Sequence, residues 1–254
     1  MTDYAGRRAL IHPDKPSLAS AAAARLVTRL IDLLAVQDEA HLVLTGGTIG
    51  IGMLAETAKL PARQAVDWSR VHLWWGDERF VPAADTDRNE LQAREALLDQ
   101  LPLRAEFVHA MPSTDGPDGE DAQAAAERYA AELAKYAPAG ADAPAFDVLL
   151  LGMGPDGHIA SLFPEHPGVH ETEPSVIAVH NSPKPPPNRI SLTFRVIQSA
   201  REVWVIASGP EKAKVAALAL TGAGQVQIPA AGARGIEATL WLLDRECAAE
   251  LPPS

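Results

Sequence analysis

Three short apolar segments constrain the fold of this chain more than any other feature. The segments are 41–45, 71–75 and 146–151, and they have the composition of buried β-strands. Each of them runs directly into a loop rich in glycine and polar residues. Segments with the apolar spacing of helices lie between them. Strands that alternate with helices indicate βαβ units. The sequence therefore predicts an α/β fold with a mainly parallel sheet flanked by helices, a Rossmann-like open sheet.

The remaining elements follow from the same patterns. Helices are predicted over 18–36, 48–60, 87–101, 119–137, 159–163 and 210–221, and further strands at 107–110, 175–179, 189–194, 202–207 and 237–243. The stretches rich in proline and glycine are interpreted as loops, because patterned segments resume after each of them: 112–119, 138–145 and 180–188. We therefore expect a single domain spanning residues 1–254.

Composition limits the possible partners. The chain carries a formal net charge of −11, which argues against binding nucleic acid or an anionic membrane through the overall field. A small phosphorylated ligand remains compatible, because a few local arginines, lysines and backbone N–H groups can hold a phosphate. The single cysteine, Cys247, and the lack of a signal-peptide or membrane-spanning apolar segment predict a cytoplasmic protein.

The first glycine-rich loop is a candidate phosphate site. Gly46, Gly47 and Thr48 follow a strand and open a helix. Paired glycines let the backbone approach an anion, and the N–H groups of the first helical turn point towards it. An ordinary βα turn has the same residues, so this motif alone leaves both interpretations open. It matches neither a GxGxxG fingerprint nor a P-loop.

The second loop brings charged groups to the end of a strand. Asp77 could orient a partner, and Arg79 could hold an anion through two parallel hydrogen bonds. The alternative is a surface cluster of ion pairs. The segment 87–89 follows closely and could cap the next helix instead of contacting a ligand.

The third loop carries the candidate catalytic base, His158. The ring is predicted at the start of the short helix 159–163, where the helix dipole disfavours the imidazolium and keeps the base neutral. Asp156 lies two residues earlier and could orient the imidazole or an attacking water. In the alternative interpretation His158 only satisfies the hydrogen bonds of a capping loop. No HExxH or Cys/His cluster and no GxSxG motif is present, so neither a metal site nor a serine nucleophile is predicted.

Taken together, these motifs resemble the 6-phosphogluconolactonase family, within the larger group that includes glucosamine-6-phosphate deaminase. The resemblance runs in order through nearly the whole chain: Leu44-Thr-Gly-Gly-Thr48, Trp75-Gly-Asp-Glu-Arg79-Phe-Val-Pro82, Asp87-Arg-Asn89, Leu151-Gly-Met-Gly-Pro-Asp-Gly-His-Ile-Ala-Ser-Leu-Phe-Pro164, Pro183-Lys-Pro-Pro-Pro-Asn-Arg-Ile-Ser-Leu-Thr193 and Ser208-Gly-Pro-Glu-Lys212. The Ala-Ser-Leu-Phe-Pro string that follows His158 is similar to the lactonases; the deaminases tend to have Phe-Asn-Glu-Pro. Small departures are Thr45 and Thr48 where serines are frequent, and Glu165 where glycine is common.

The resemblance implies an α/β enzyme without metal or cofactor. Its implied reaction is hydrolysis of 6-phospho-D-glucono-1,5-lactone to 6-phosphogluconate, the second step of the oxidative pentose phosphate pathway. His158 would act as general base on the attacking water, with Asp156 and Asp77 orienting the ring or the sugar hydroxyls. The implied phosphate ligands are the loop Gly46-Gly47-Thr48 together with Arg189, Lys212 and Arg79.

Two other functions remain open from the sequence. One is a deaminase or isomerase acting on glucosamine 6-phosphate. The other is a sugar-phosphate sensor. It is disfavoured because such regulators carry a helix-turn-helix segment, whereas this chain has only about 17 residues before its first predicted helix and a net charge of −11. The oligomeric state, monomer or dimer, does not follow from the sequence.

Overall fold

The computed structural model describes residues 2–252, so the two ends of the predicted domain, residue 1 and residues 253–254, lie outside the described residues. The strands are β1 (Thr2–Tyr4), β2 (Arg7–His12), β3 (Ala40–Leu44), β4 (Val71–Trp75), β5 (Asp77–Arg79), β6 (Val148–Gly152), β7 (Val176–Val179), β8 (Arg189–Leu192), β9 (Glu202–Ala207) and β10 (Ala238–Asp244). The α-helices are α1 (Lys15–Leu34), α2 (Gly47–Lys59), α3 (Asn89–Ala96), α4 (Ala122–Lys135), α5 (Phe194–Ile197) and α6 (Ala213–Thr221).

Seven strands form the main sheet, in the order β1-β2-β10-β9-β6-β3-β4. All neighbouring strands in it are parallel except β1 and β2, which are antiparallel. The central strands β6, β9 and β10 are almost entirely buried, as expected for parallel strands covered on both faces. The predicted α/β fold with a mainly parallel sheet is confirmed.

The helices form where the sequence supplies both a cap and an apolar face. Asp14 caps α1, its carboxylate accepting the Ser17 N–H at 2.8 Å. The helix then buries a stripe of side chains at helical spacing: Leu18, Ala22, Leu26, Leu30 and Leu33. This face packs against α2 and the main sheet, and burial of such a face supplies most of the stability of a helix.

The register of the main sheet aligns the carboxyl ends of its strands. Leu44 at the end of β3 pairs with Trp75 at the end of β4, and Gly152 at the end of β6 pairs with Ile206 of β9. The loops that follow these strands therefore leave the sheet side by side. Ligands of open parallel sheets bind at this edge.

Two features of the sheet structure were not predicted. β1 and β2 precede the first helix, and β2 extends the main sheet by pairing with β10. In addition, β5, β8 and β7 form a separate antiparallel sheet of three strands. Its strand β5 lies inside the segment 76–79, which was predicted to be a loop.

Several predicted elements are wrong or shorter than predicted. The short helix over 159–163 is absent from the described residues; Ile159 and Leu162 instead form an isolated antiparallel bridge around Ala160, whose φ is +48°. A left-handed residue cannot continue a right-handed helix. The predicted helix 87–101 divides into α3 and a 3-10 turn at Leu98–Gln100, and the predicted strand 107–110 forms only one bridge, between Val108 and Leu73. Within residues 2–252, no helix is both long and apolar enough to cross a membrane.

Candidate active site

A cleft of about 420 Å³ lies beyond the carboxyl ends of β3, β4 and β6. Eight of the nine predicted site residues line it: Gly46, Gly47, Thr48, Asp77, Arg79, His158, Arg189 and Lys212. The ninth, Asp156, contacts His158. The structure therefore brings all the predicted residues to one place, although they come from five separate segments of the chain.

The glycine loop presents the N-terminus of α2 to the cleft. Among residues 2–252, no side chain caps this helix at Gly46, so its first N–H groups remain available to an anion. A Cβ atom on Gly46 would lie 1.8 Å from Oδ1 of Asn89. Glycine is required there because the Asn89 amide occupies the space a side chain would need. Thr45 Oγ1 accepts the Gly152 N–H at 3.0 Å and ties this loop to the one that carries His158.

His158 is held by a tight turn, which corrects the prediction of a helix N-terminus. Its Nδ1 lies 2.5 Å from Oδ1 of Asp156, and its carbonyl accepts the Gly154 N–H at 2.9 Å. A Cβ on Gly154 would come within 2.1 Å of the imidazole, so this close approach also requires glycine. A carboxylate at Nδ1 favours the tautomer in which Nδ1 carries the proton and Nε2 keeps its lone pair. A carboxylate, and not a helix dipole, therefore sets the orientation and tautomer of this ring.

Asp156 is ionised in this arrangement. Burial acts to raise its pKa, but the hydrogen bond from His158 and the charges of His158 and Lys184 outweigh burial and leave the pKa well below its usual range. The ammonium of Lys184 lies 3.3 Å from the same Oδ1 atom. Asp156 can therefore stabilise an imidazolium that forms on His158.

Asp77 has a different partner. Its Oδ2 accepts the Ser161 hydroxyl at 2.7 Å, and its side chain is buried at the wall of the cleft. Asp77 therefore fixes the turn that follows His158, whereas Asp156 is the carboxylate that binds the imidazole. Farther along this segment, Glu165 has φ of +56°, in the left-handed region that favours glycine.

The two arginines are also held by neighbours. Arg189 is buried and donates to the carbonyls of residues 184, 185 and 186 at 3.1–3.2 Å. Burial lowers its pKa, yet a guanidinium remains charged. Arg79 donates through Nη1 to Oδ1 of Asn89. The Asn89 amide therefore lies between Arg79 and Gly46 of the glycine loop. The sequence did not indicate this contact.

Positive charge is concentrated in the cleft. Five cationic side chains line it, against two carboxylates, although the chain as a whole is acidic: Lys15, Arg79, Lys184, Arg189 and Lys212, with Asp77 and Glu211. Burial lowers the pKa of Lys212, and the nearby Lys15 and Lys184 act in the same direction, whereas Glu211 raises it. Binding a phosphate would relieve this repulsion between cations.

Glu78 has a structural role beside the cleft. Its carboxylate accepts the backbone N–H groups of residues 79, 89 and 90 at 2.7–2.9 Å, and so caps the start of α3. Burial raises the pKa of Glu78 to about 7, although Arg88 and these N–H groups favour the carboxylate. From the sequence, the segment 87–89 could either cap α3 or contact a ligand; its Asn89 is the first residue of the helix and lines the cleft. In residues 2–252, no group of three or more His, Cys, Asp or Glu side chains is arranged to hold a metal ion.

The family model for glucosamine-6-phosphate isomerases/6-phosphogluconolactonase matches residues 13–241. The chain belongs to this family. A 6-phosphogluconolactonase of Streptomyces coelicolor (strain ATCC BAA-471 / A3(2) / M145) is 59% identical over 247 residues, covering 96% of this chain and 95% of the relative. One of Mycobacterium leprae (strain TN) is 52% identical over 242 residues, covering 95% and 97%.

A solved structure of 6-phosphogluconolactonase from Trypanosoma brucei superposes with a TM-score of 0.81 at 30% identity, covering 97% of this chain and 99% of that one. The resemblance inferred from the motifs is thereby confirmed. The expectation of an enzyme of the 6-phosphogluconolactonase type is confirmed as well.

Sequence reasoning did not assign several residues of the cleft to the site, among them two lysines and an asparagine. Lys15 lies at the start of α1, Asn89 at the start of α3, and Lys184 in the loop between β7 and β8. Lys184 was within a recognised motif, but nothing in the local sequence placed that proline-rich loop against the Asp156–His158 turn. Only the pairing of the small sheet brings it there.

Proposed function

We propose that this enzyme hydrolyses 6-phospho-D-glucono-1,5-lactone to 6-phosphogluconate, with His158 as the general base. The observation that carries the proposal is the Asp156–His158 pair at the edge of a cation-lined cleft. The pair supplies a base for water, and the cleft supplies groups for a phosphate. The identity to named lactonases supports the choice of substrate.

The chemistry needs one proton transfer in each direction. Nε2 of His158 takes a proton from the water as its oxygen forms a bond to C1 of the lactone. The bond between C1 and the ring oxygen then breaks, and the imidazolium returns the proton to that oxygen. A lactone is already an activated ester, so no covalent nucleophile is needed. Asp156 stabilises the imidazolium while it exists, and nearby cations and N–H groups stabilise the oxyanion.

The phosphate binds away from the reacting carbon and orients it. We assign it to the first turn of α2, at Gly46, Gly47 and Thr48, with Arg189, Lys212 and Arg79. The uncapped helix end and these cations form a complementary surface for a dianion. Arg189 engages the neighbouring loop through Nε and Nη2, which leaves Nη1 for the ligand. Binding energy from this remote group positions C1 against the water.

Three sequence-based expectations form part of this proposal. They are a single domain over residues 1–254, a location in the cytoplasm, and a mechanism that uses no metal or organic cofactor. The buried, unpaired thiol of Cys247 is consistent with a reducing compartment. Monomer and dimer remain equally compatible with the mechanism, since every residue assigned to the site comes from one chain.

Two assays test the proposed reaction. In the first, the purified enzyme receives freshly prepared 6-phosphogluconolactone, and 6-phosphogluconate is measured against an enzyme-free blank, because the lactone also hydrolyses spontaneously. In the second, ammonia release is measured from glucosamine 6-phosphate. We expect lactone hydrolysis far above the blank and no ammonia. Ammonia release without lactone hydrolysis would assign the chain to the deaminase branch of the family.

A further inference from the structure

Lys184 lies against the Asp156–His158 pair from a different part of the chain. Its Nζ is 3.3 Å from Oδ1 of Asp156 and 3.3 Å from Nδ1 of His158. The side chain is 36% exposed and lines the cleft. The Lys184 ammonium therefore approaches the imidazole of His158 from its Nδ1 side, next to the Asp156 carboxylate.

The backbone of Lys184 is held by hydrogen bonds on both sides of the loop. Its carbonyl accepts Nη2 of Arg189 at 3.2 Å and the hydroxyl of Ser182 at 3.0 Å. Arg189 also binds the next two carbonyls of the loop. These contacts fix the point on the loop from which the Lys184 side chain extends towards Asp156.

The hydrogen-bond chemistry assigns the direction of the contacts. Nδ1 of His158 donates its proton to Asp156, so it has no lone pair for the ammonium. Lys184 therefore donates to Oδ1 of Asp156, which accepts from both groups. Asp156 and Lys184 together form a neutral pair beside the ring.

This neutral pair addresses a conflict in the proposed mechanism. An aspartate alone next to a histidine stabilises the imidazolium, which helps the transition state but also tends to keep the resting ring protonated and unable to accept a proton. A cation at the same oxygen offsets that tendency. We propose that Lys184 is a positioning residue that fixes Asp156 and offsets the pull of its charge on the proton of His158; this inference rests on the proposed role of His158.

Other charged side chains line the same cleft, and they are unchanged in the variants of Lys184 that test the inference. They come from α1, β5, β8 and the turn before α6: Lys15, Asp77, Arg79, Arg189, Glu211 and Lys212. The ring of Phe163 packs against the imidazole with centroids 4.6 Å apart. Because a substitution of Lys184 leaves all of these in place, a change in titration reports the one charge removed.

The test compares Lys184→Met with Lys184→Arg and with Lys59→Met as a control. Lys59 is a well-exposed lysine at the far end of α2, so its replacement removes the same charge away from the cleft. We expect the acid limb of the profile of kcat/KM against pH to move up by about one pH unit in Lys184→Met, as removal of a charge at this distance shifts titrations by 1–3 units. Rates of mutant and wild type should converge at higher pH. Lys184→Arg should restore the profile, and Lys59→Met should match the wild type.

A second measurement separates this inference from the proposed function. The C2 proton of His158 is titrated by NMR in wild type and Lys184→Met without substrate, with His158→Asn to assign the signal. We expect the midpoint to rise in Lys184→Met, whether or not His158 is the base. An unchanged midpoint, or a rate loss that is equal at every pH, would overturn the inference. So would a raised KM for the phosphorylated lactone alone, because it would make Lys184 a phosphate ligand.

Discussion

His158 and the three histidines His41, His72 and His109 lie at opposite ends of the main sheet. His158 follows the carboxyl end of β6, whereas His41 and His72 pair with each other near the amino ends of β3 and β4. His158 reaches a cleft, and its Nδ1 is paired with the carboxylate of Asp156. Of the other three, His72 and His109 are buried, and the half-buried His41 stacks on His72. Histidine thus occurs in two settings in this protein, one beside a cleft that a ligand can enter and one within a stack of rings.

His72 stacks on both His41 and His109, and we call these three residues the histidine cluster. The rings of His41 and His72 have centroids 4.5 Å apart, and those of His109 and Trp74 are 3.7 Å apart. Nδ1 of His72 lies 3.0 Å from Nε2 of His109. Burial lowers the pKa of His41 to about 3 and that of His109 to about 4. These rings are neutral packing groups at physiological pH.

The difference teaches that a titratable ring becomes useful for catalysis when it has a charged partner on one side and an open space on the other. His109 also has a carboxylate partner, Glu132 at 2.9 Å. Its other nitrogen, however, faces His72 and not a ligand. A carboxylate–histidine pair is therefore not sufficient evidence of a base, and accessibility of the second nitrogen decides.

The largest expected effect separates the two ends of the sheet directly. His158→Asn keeps a side-chain N–H for Asp156 but removes the base, so kcat should fall by about 10²–10⁴-fold with little change in KM. His109→Gln, at the other end, should leave kcat per folded molecule unchanged while it lowers stability. Initial rates with blank subtraction measure both. Near wild-type turnover in a folded His158→Asn protein would reduce His158 to a residue of the turn.

A smaller effect should separate binding from chemistry within the cleft. Lys212→Ala removes one charge-assisted contact to the phosphate, which costs about 2 kcal/mol and raises KM by tens-fold. Turnover of unphosphorylated gluconolactone should stay the same. Arg189→Ala should lower kcat as well, because Arg189 also holds the loop of Lys184. If Lys212→Ala kept full affinity for the phosphorylated lactone, the phosphate would have to bind elsewhere.

The parallel arrangement made much of the fold and site predictable. Apolar residues predominate in strands β3, β4 and β6, and parallel strands end at one edge, so their loops had to meet. β2 escaped prediction because its residues include Arg7, Arg8 and His12 and lack a strong apolar pattern. Pairing with β10 stabilises it as a strand, and this is a long-range contact that local sequence does not encode.

The errors in the site have similar causes. The segment after His158 has good helix formers, but the contacts of Ser161 with Asp77 and with Ser191 fix it as a turn. Lys184 was missed because its position depends on the β7–β8 pairing and on Arg189. Cleft residues that lie at the ends of adjacent strands could be inferred from the sequence. Cleft residues that lie on a distant loop could not.

The last expected effect is on stability and concerns the histidine cluster and pH. The folded-state pKa of His41 is depressed to about 3, below the value near 6.5 of an unfolded chain. Stability from keeping this ring neutral is therefore fully present above about pH 6.5 and is lost as pH falls towards 3, because only the unfolded state takes up the proton. Within that window each such proton contributes roughly 1.4 kcal/mol per pH unit.

His41→Asn tests this linkage with a matched side chain, since the asparagine oxygen can still accept the Nε1–H of Trp74, now bound by Nδ1 of His41 at 3.2 Å. Free energies of unfolding from urea titrations at several pH values between 6.5 and 4.5 should fall less steeply in the variant than in the wild type. The carboxylates that also titrate there are common to both proteins, so the difference in slope isolates the ring. Equal slopes for wild type and His41→Asn would mean that His41 is protonated within the folded stack, and the contrast between the two ends of the sheet would rest on ligand access alone.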